Sequence, residues 1–366
     1  MKLKTSLFIF LLILLSILLG VNYFFEPFKN LGKPAIVQEI VSALPSVGPS
    51  ASDQVNKIMA FPLDLSASTA ASVDWERINK FGFTTIFGEK ISSQSAALLK
   101  NLNNQIIVDH EGGTVQRFAG AGFTKVPSWR DLCAMPEASM SAVLKKSAQE
   151  LKNIGVDIVL APVTDLANSN QVLKSRICSA EVDLVASRSA QLIALLTQQE
   201  ILPVIKHFPG IGSTKKDLHQ SFDRVEVGEK DAFIYQKLLN IYPHLGVMTA
   251  HVGVTNQDAD LPCSLSADCV GELLAAFPSA LVFSDALEMK AAAYQKNASA
   301  SAQYNKSLEQ VALEAVRAGN NVLIFGPGVD AASIERVYQV LLAAYQQDSV
   351  IKNRIDQSVK KINSYQ

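Results

Sequence analysis

The side chains able to do chemistry in this 366-residue chain are few enough to follow one by one, with only five histidines and four cysteines. An imidazole titrates near neutrality and is the usual group for moving a proton at physiological pH. Acid–base work therefore falls to a handful of positions. Three segments gather polar side chains densely: DHEGGTVQRF (109–118), KHFPGIGSTKKDLH (206–219) and LVFSDALEM (281–289). Asp165, Arg176 and His251 stand outside them. Cys133, Cys178, Cys263 and Cys269 include no close pair at metal-ligand spacing, which argues against zinc. Disulfides in an oxidising compartment and buried free thiols both fit them, and the connectivity is open.

These groups need elements to hold them. Eight short runs rich in β-branched and aromatic residues recur: KIMAFPL from Lys57, GFTTIF from Gly82, QIIVD from Gln105, VDIVLAP from Val156, ILPVIK from Ile201, GVMTAH from Gly246, ALVFSD from Ala280 and NVLIFG from Asn321. Continuous apolar runs of this length suit strands buried on both faces, as in parallel sheets. Amphipathic stretches such as SAVLKKSAQELKNIG and DLVASRSAQLIALLTQQE lie between them. The alternation predicts an α/β fold, a TIM-type (β/α)8 barrel over residues 55–366. A doubly wound open sheet is the alternative, weakened because no glycine-rich phosphate-binding fingerprint follows a strand. A barrel places functional groups at the carboxyl ends of strands. The polar residues comply: Asp109 closes the third strand, Asp165 follows the fourth, Lys206 and His207 close the fifth, His251 the sixth and Asp285 the seventh. Burying so many polar groups there by chance is costly.

Composition narrows the classes further. Lys and Arg number 33 against 34 Asp and Glu, so no broad basic surface for nucleic acid is expected. Hydrophobic residues make up 48%, which excludes general disorder. Part of that fraction sits in residues 1–26, where Lys2 and Lys4 precede an uncharged stretch from Thr5 to Phe25. Roughly 20 apolar residues span a bilayer, and no small-residue cleavage site follows. The expectation is a signal anchor with the body outside the cytoplasm, periplasmic or extracellular, and secreted if the segment is cleaved. Residues 27–54, rich in Pro, Ser and Ala, read as a linker. The segment AYQKNASASAQYNKS (293–307) reads as a flexible insertion near the barrel mouth.

Together with GVMTAH (246–251), the three polar segments resemble glycoside hydrolase family 3, in particular its single-domain β-N-acetylhexosaminidases. The resemblance runs from about Lys57 to the IKNRIDQSVKKIN tail. It implies a TIM-type barrel, in agreement with the strand count. It also implies that Asp285 is the nucleophile of a retaining reaction, which needs a carboxylate about 5 Å from its acid/base partner. Asp217 and His219 are implied as the acid/base pair on a flexible loop, the aspartate orienting the imidazole. Asp109, Arg176, Lys206 and His207 are implied to hold the sugar, with His251 on the pocket floor and Glu111 in support. Gly112 and Gly113 allow a close turn.

Some positions depart from the family pattern. Ile211 stands where His or Asn is usual, Ser213 where Asp is frequent, Leu218 where Ser or Thr separates the pair, Ala286 where a second Asp follows the nucleophile, and Asn321 where Asp is frequent. None removes an implied catalytic group. The resulting expectation is a monomeric exo-acting enzyme, free of metal and organic cofactor, that removes terminal β-linked N-acetylglucosamine from murein or chitin-type fragments. Other β-glycoside specificity, transfer to phosphate, and a catalytically silent membrane-anchored sugar-binding protein are the alternatives.

Overall fold

The computed structural model describes residues 49–66, 73–255, 257–296 and 302–365. The expected anchor and nearly all of the linker lie outside these residues. Among the described residues, no helix is long and apolar enough to cross a membrane. Within the described part of the expected linker a helix starts, Ala51–Lys57. Ser50 accepts the Asp53 amide and Asp53 accepts that of Ser50, a reciprocal cap that starts a helix in polar sequence.

Eight parallel strands follow, one in each of the apolar runs. They are β1 (Met59–Asp64), β2 (Phe83–Phe87), β3 (Gln105–Val108), β4 (Ile158–Val159), β5 (Leu202–Phe208), β6 (Gly246–Thr249), β7 (Leu281–Ser284) and β8 (Leu323–Ile324). From β1 to β7 each pairs with the next in sequence, in registers such as Ala60 with Phe83, Ile107 with Ile158 and Val247 with Val282. The last strand returns to the first, Met59 opposite Leu323. A bridge between Phe283 and Val322 nearly closes the ring on its other side. Both faces of these strands are buried, which is why they read as unbroken apolar runs rather than alternating ones.

Asn321 explains one departure from the family pattern. At the seam between β7 and β8 it is buried, accepts the Val282 amide at 2.9 Å and donates to Ser358 Oγ at 3.1 Å. An amide supplies both roles, whereas a carboxylate offers no donor.

The helices pack outside this ring. Leu308–Ala318 starts on a Ser307–Gln310 capping box and stops at Gly319, whose φ of +115° an L side chain rarely adopts. Its face Val311, Ala312, Ala315, Val316 is buried, as the three-and-four spacing requires. The expected flexible insertion contains regular structure among its described residues: Tyr294–Lys296 and Ala302–Tyr304 pair as antiparallel strands of a hairpin.

All four cysteines are paired. Cys133–Cys178 joins helix Trp129–Ala134 to the loop after Arg176, and Cys263–Cys269 closes a short turn at the head of helix Ala267–Ala276. The sequence separations are 45 and 6. Restriction of the unfolded chain grows with loop length, so the first bridge stabilises more. Replacing Cys133 and Cys178 by Ser is expected to lower unfolding free energy by about 4 kcal/mol, and replacing Cys263 and Cys269 by about 2 kcal/mol. Urea denaturation of the two double variants measures both, and a reversed order would refute the loop-length account.

Candidate active site

At the carboxyl ends of the strands lies a cavity of about 750 Å³, within the range of small-ligand sites. Its base is an ion network. Lys206, in β5, is only 2% exposed; its Nζ lies 2.7 Å from Asp109 Oδ1 and 2.6 Å from Glu111 Oε1. Arg176 grips Glu111 in a fork, Nε to Oε2 at 2.8 Å and Nη2 to Oε1 at 2.9 Å. Arg117 reaches Asp109 Oδ2 at 3.3 Å and lies over the Phe87 ring. Two carboxylates thus face three cations.

The balance sets their titration. Burial pushes the Asp109 carboxyl up, but Lys206 and Arg117 outweigh it and hold the group well below the usual carboxylate range. Glu111 is lowered likewise, burial being overcome by Arg176 and Lys206. Burial disfavours the Lys206 ammonium, yet Asp109 and Glu111 raise its pKa above the ordinary value. A tight turn brings Glu111 in. Gly112 has φ +93°, and a Cβ there would sit 2.2 Å from the Pro127 carbonyl oxygen.

His207 extends the network. Its Nδ1 donates to Asp165 Oδ2 at 2.7 Å, and Nε2 faces Arg176 Nη2 at 3.3 Å. A guanidinium only donates, so Nε2 accepts. Asp165 Oδ1 also takes the Ile211 amide at 2.7 Å, anchoring the loop that leaves β5. Asn170 donates to the Gly212 and Thr214 carbonyls from the opposite side, at 2.9 Å each.

That loop carries Asp217 and His219, both lining the cavity. Their relation differs from the expected one. Asp217 Oδ1 accepts the backbone N–H of His219 at 2.9 Å, and no hydrogen bond to the His219 ring occurs among the described residues. An aspartate two residues before an amide closes such a turn readily.

Asp285, directly after β7, reaches the cavity. Its Oδ1 takes the Ala286 amide at 2.8 Å. His251 lies elsewhere than on the pocket floor. It is fully buried behind the wall, with Nδ1 2.6 Å from Ser264 Oγ and Nε2 2.9 Å from the Ala286 carbonyl. A ring so enclosed meets the site at the Ala286 carbonyl, beside Asp285. His110 is buried against Ser147 Oγ, and His244 is exposed beside Tyr365.

Sequence reasoning passed over Glu288, three residues after Asp285. It lines the cavity at its exposed rim, and its Oε2 takes the Gly326 amide at 2.8 Å. A Cβ on residue 326 would lie 1.7 Å from Glu288 Oε1, so only glycine leaves the carboxyl this place. Surrounding protein, chiefly by desolvation, raises its pKa. The available signal was an acidic residue inside a segment already singled out.

Barrel, cavity and side-chain network together define an α/β-barrel protein whose polar pocket opens at the carboxyl ends of its strands. The pattern described as "Glycosyl hydrolase family 3 N terminal domain" matches residues 88–365, and the chain belongs to that family. A beta-hexosaminidase of Shewanella frigidimarina is 33% identical over 211 residues, which cover 52% of this chain and 60% of that protein. One from Tolumonas auensis is 30% identical over 230 residues, 58% of this chain and 68% of that protein. The chain thus spans about two thirds, or somewhat less, of these relatives' length. Among solved structures, the β-N-acetylhexosaminidase of Beutenbergia cavernae superposes with a TM-score of 0.74 at 21% identity, over 86% of this chain and 98% of that one. That likeness concerns the fold.

Two stability predictions arise from the network. Lys206→Met leaves two buried carboxylates short of a cation and is expected to destabilise by about 3–5 kcal/mol. Chemical denaturation near pH 7 checks this, and a loss below about 1 kcal/mol would contradict it. The second concerns His110, whose pKa burial and Arg117 push down from 6.5 to about 4. Between those values the unfolded chain binds a proton that the folded one refuses. Stability is therefore fully present above pH 6.5 and drops as pH falls towards 4, by up to about 3 kcal/mol. His251, lowered by its own burial, acts in the same direction. Denaturation midpoints of His110→Gln should fall less steeply across this window than those of the parent, and parallel curves would count against His110.

Proposed function

We propose that the chain is a retaining exo-β-N-acetylglucosaminidase acting on murein or chitin-type fragments, without metal or organic cofactor. The observation that carries the reading is that Asp285, His219 and the paired groups Asp109, Arg176, Lys206 and His207 all line one cavity in a family 3 barrel. The relatives' names, beta-hexosaminidase in each case, support the sugar class.

In this reading the terminal sugar lies over the Lys206–Asp109 pair, whose carboxylate accepts hydroxyl hydrogens while Lys206 and Arg176 donate. Fixing the ring in this way is a large share of the rate. Asp285 Oδ1 is held by the Ala286 amide, which leaves Oδ2 to attack the anomeric carbon. As the glycosidic bond breaks, the leaving oxygen takes a proton from the His219 ring. The neutral ring then removes a proton from water, whose oxygen displaces Asp285 and releases the sugar with its original configuration. Asp217 holds the turn that presents His219, and its Oδ2 is the oxygen left to steady the imidazolium.

Two disulfides suit an oxidising compartment, and the apolar N-terminus suits an anchor. Both support a body outside the cytoplasm, where such glycans lie.

The test is hydrolysis of a chromogenic β-N-acetylglucosaminide. Asp285→Asn should lower kcat at least about 10³-fold. His219→Ala should lower it about 10²- to 10⁴-fold on substrates with poor leaving groups. Folded protein that turns over no β-glycoside would sink the proposal, and turnover that survives Asp285→Asn would remove the nucleophile assignment.

A further inference from the structure

The hairpin formed by Tyr294–Lys296 and Ala302–Tyr304 has no role in the site as described, yet it touches the loop carrying His219 on both sides of that residue. Before it, the Leu218 carbonyl accepts the Ala291 amide, at the foot of the hairpin, at 3.1 Å. After it, the Phe222 amide donates to Tyr304 Oη at 3.2 Å. The Phe222 ring stacks on Tyr294 with centroids 3.9 Å apart and planes 7° from parallel. Arg224 closes the stack. Its guanidinium lies 5.2 Å from the Phe222 centroid and 5.6 Å from that of Tyr294, and Nη2 donates to Tyr294 Oη at 2.9 Å.

Leu218 and Phe222 are both almost fully buried, in one apolar cluster with Met289, Ala291 and Tyr294. Only His219, Gln220 and Ser221 lie between the two anchors. So short a tether spans at most about 14 Å from Leu218 to Phe222, which restricts where the imidazole can travel. The apolar choice at Leu218 also acquires a reason. A serine or threonine there would offer the cluster little apolar surface to bury.

We infer that the Tyr294–Tyr304 hairpin positions the proton-transfer loop, with Phe222, Tyr294 and Tyr304 as positioning residues that hold His219 over the cavity. The inference rests on the reading of His219 as acid/base.

Leaving-group dependence separates positioning from bulk stability, because a leaving group that departs without a proton needs no acid in the first step. The experiment measures kcat/KM of parent, Tyr294→Ala, Tyr304→Phe and His219→Ala on two β-N-acetylglucosaminides. One carries a dinitrophenolate leaving group, the other a simple sugar alcohol. Tyr294→Ala should lose about tenfold or more on the alcohol substrate and stay within about twofold on the aryl one, a weaker copy of His219→Ala. Tyr304→Phe removes one hydroxyl and one hydrogen bond, and should lose about two- to tenfold on the alcohol substrate alone. Should Tyr294→Ala fail to fold by circular dichroism, Tyr304→Phe decides by the same criterion.

Equal losses on both substrates, or none on either, would overturn the inference while His219→Ala still shows its signature. A folded parent that turns over neither substrate would instead sink the hydrolase reading, and this inference with it.

Discussion

A lysine ammonium buried at the end of a barrel strand is the constraint around which the site is arranged. Lys206 cannot stay charged at 2% exposure without anions, and it has two within 2.7 Å. Those anions arrive on one short turn after β3, which requires Gly112. Two carboxylates around one ammonium need further cations, and Arg117 and Arg176 supply them. Arg176 in turn comes from a loop that Arg130 holds by the Lys174 and Ile177 carbonyls and that Cys178 ties to Cys133. The register between β3, β4 and β5 therefore reaches the rim of the pocket through charge compensation at each step.

Much of this was legible in the chain. Local composition marks a doubly buried strand, so all eight apolar runs fall where β1 to β8 lie. The same locality placed Asp109, Lys206, His207 and Asp285 at the cavity, since each is attached to a strand end. What local sequence could not supply was the choice of partner across space. Asp217 stands beside His219 in sequence, but the nearest amide captures its carboxylate before the ring does. His251 follows β6 as Asp285 follows β7, yet Ser264 and the Ala286 carbonyl enclose it. Both outcomes depend on loops whose paths no residue period encodes.

Several departures from the family pattern make sense as packing once the neighbours are known. Ile211 and Leu218 are nearly fully buried within the cluster that also holds Phe222 and Tyr294. Asn321 acts as donor and acceptor across the barrel seam. Ser213 is exposed, and nothing in the structure explains it. Ile211 and Leu218 thus lie on the loop that carries His219, and Asn321 at the barrel seam, away from the Lys206 ion network.

The pocket's charges are divided unevenly. On one side Asp109 and Glu111 are neutralised by Lys206, Arg176 and Arg117. On the other, Asp285, Glu288 and Asp217 have no lysine or arginine ion pair among the described residues. A glycosidic bond that breaks through an oxocarbenium-like state develops positive charge at the anomeric carbon. Neutralised carboxylates bind hydroxyls well but stabilise that charge weakly, whereas unpaired ones fixed by backbone amides face it without reorganising. Asp285 and Glu288 are both held in this way, by the Ala286 and Gly326 amides. Under the proposed reaction, the paired side of the pocket orients the sugar and the unpaired side favours its transition state.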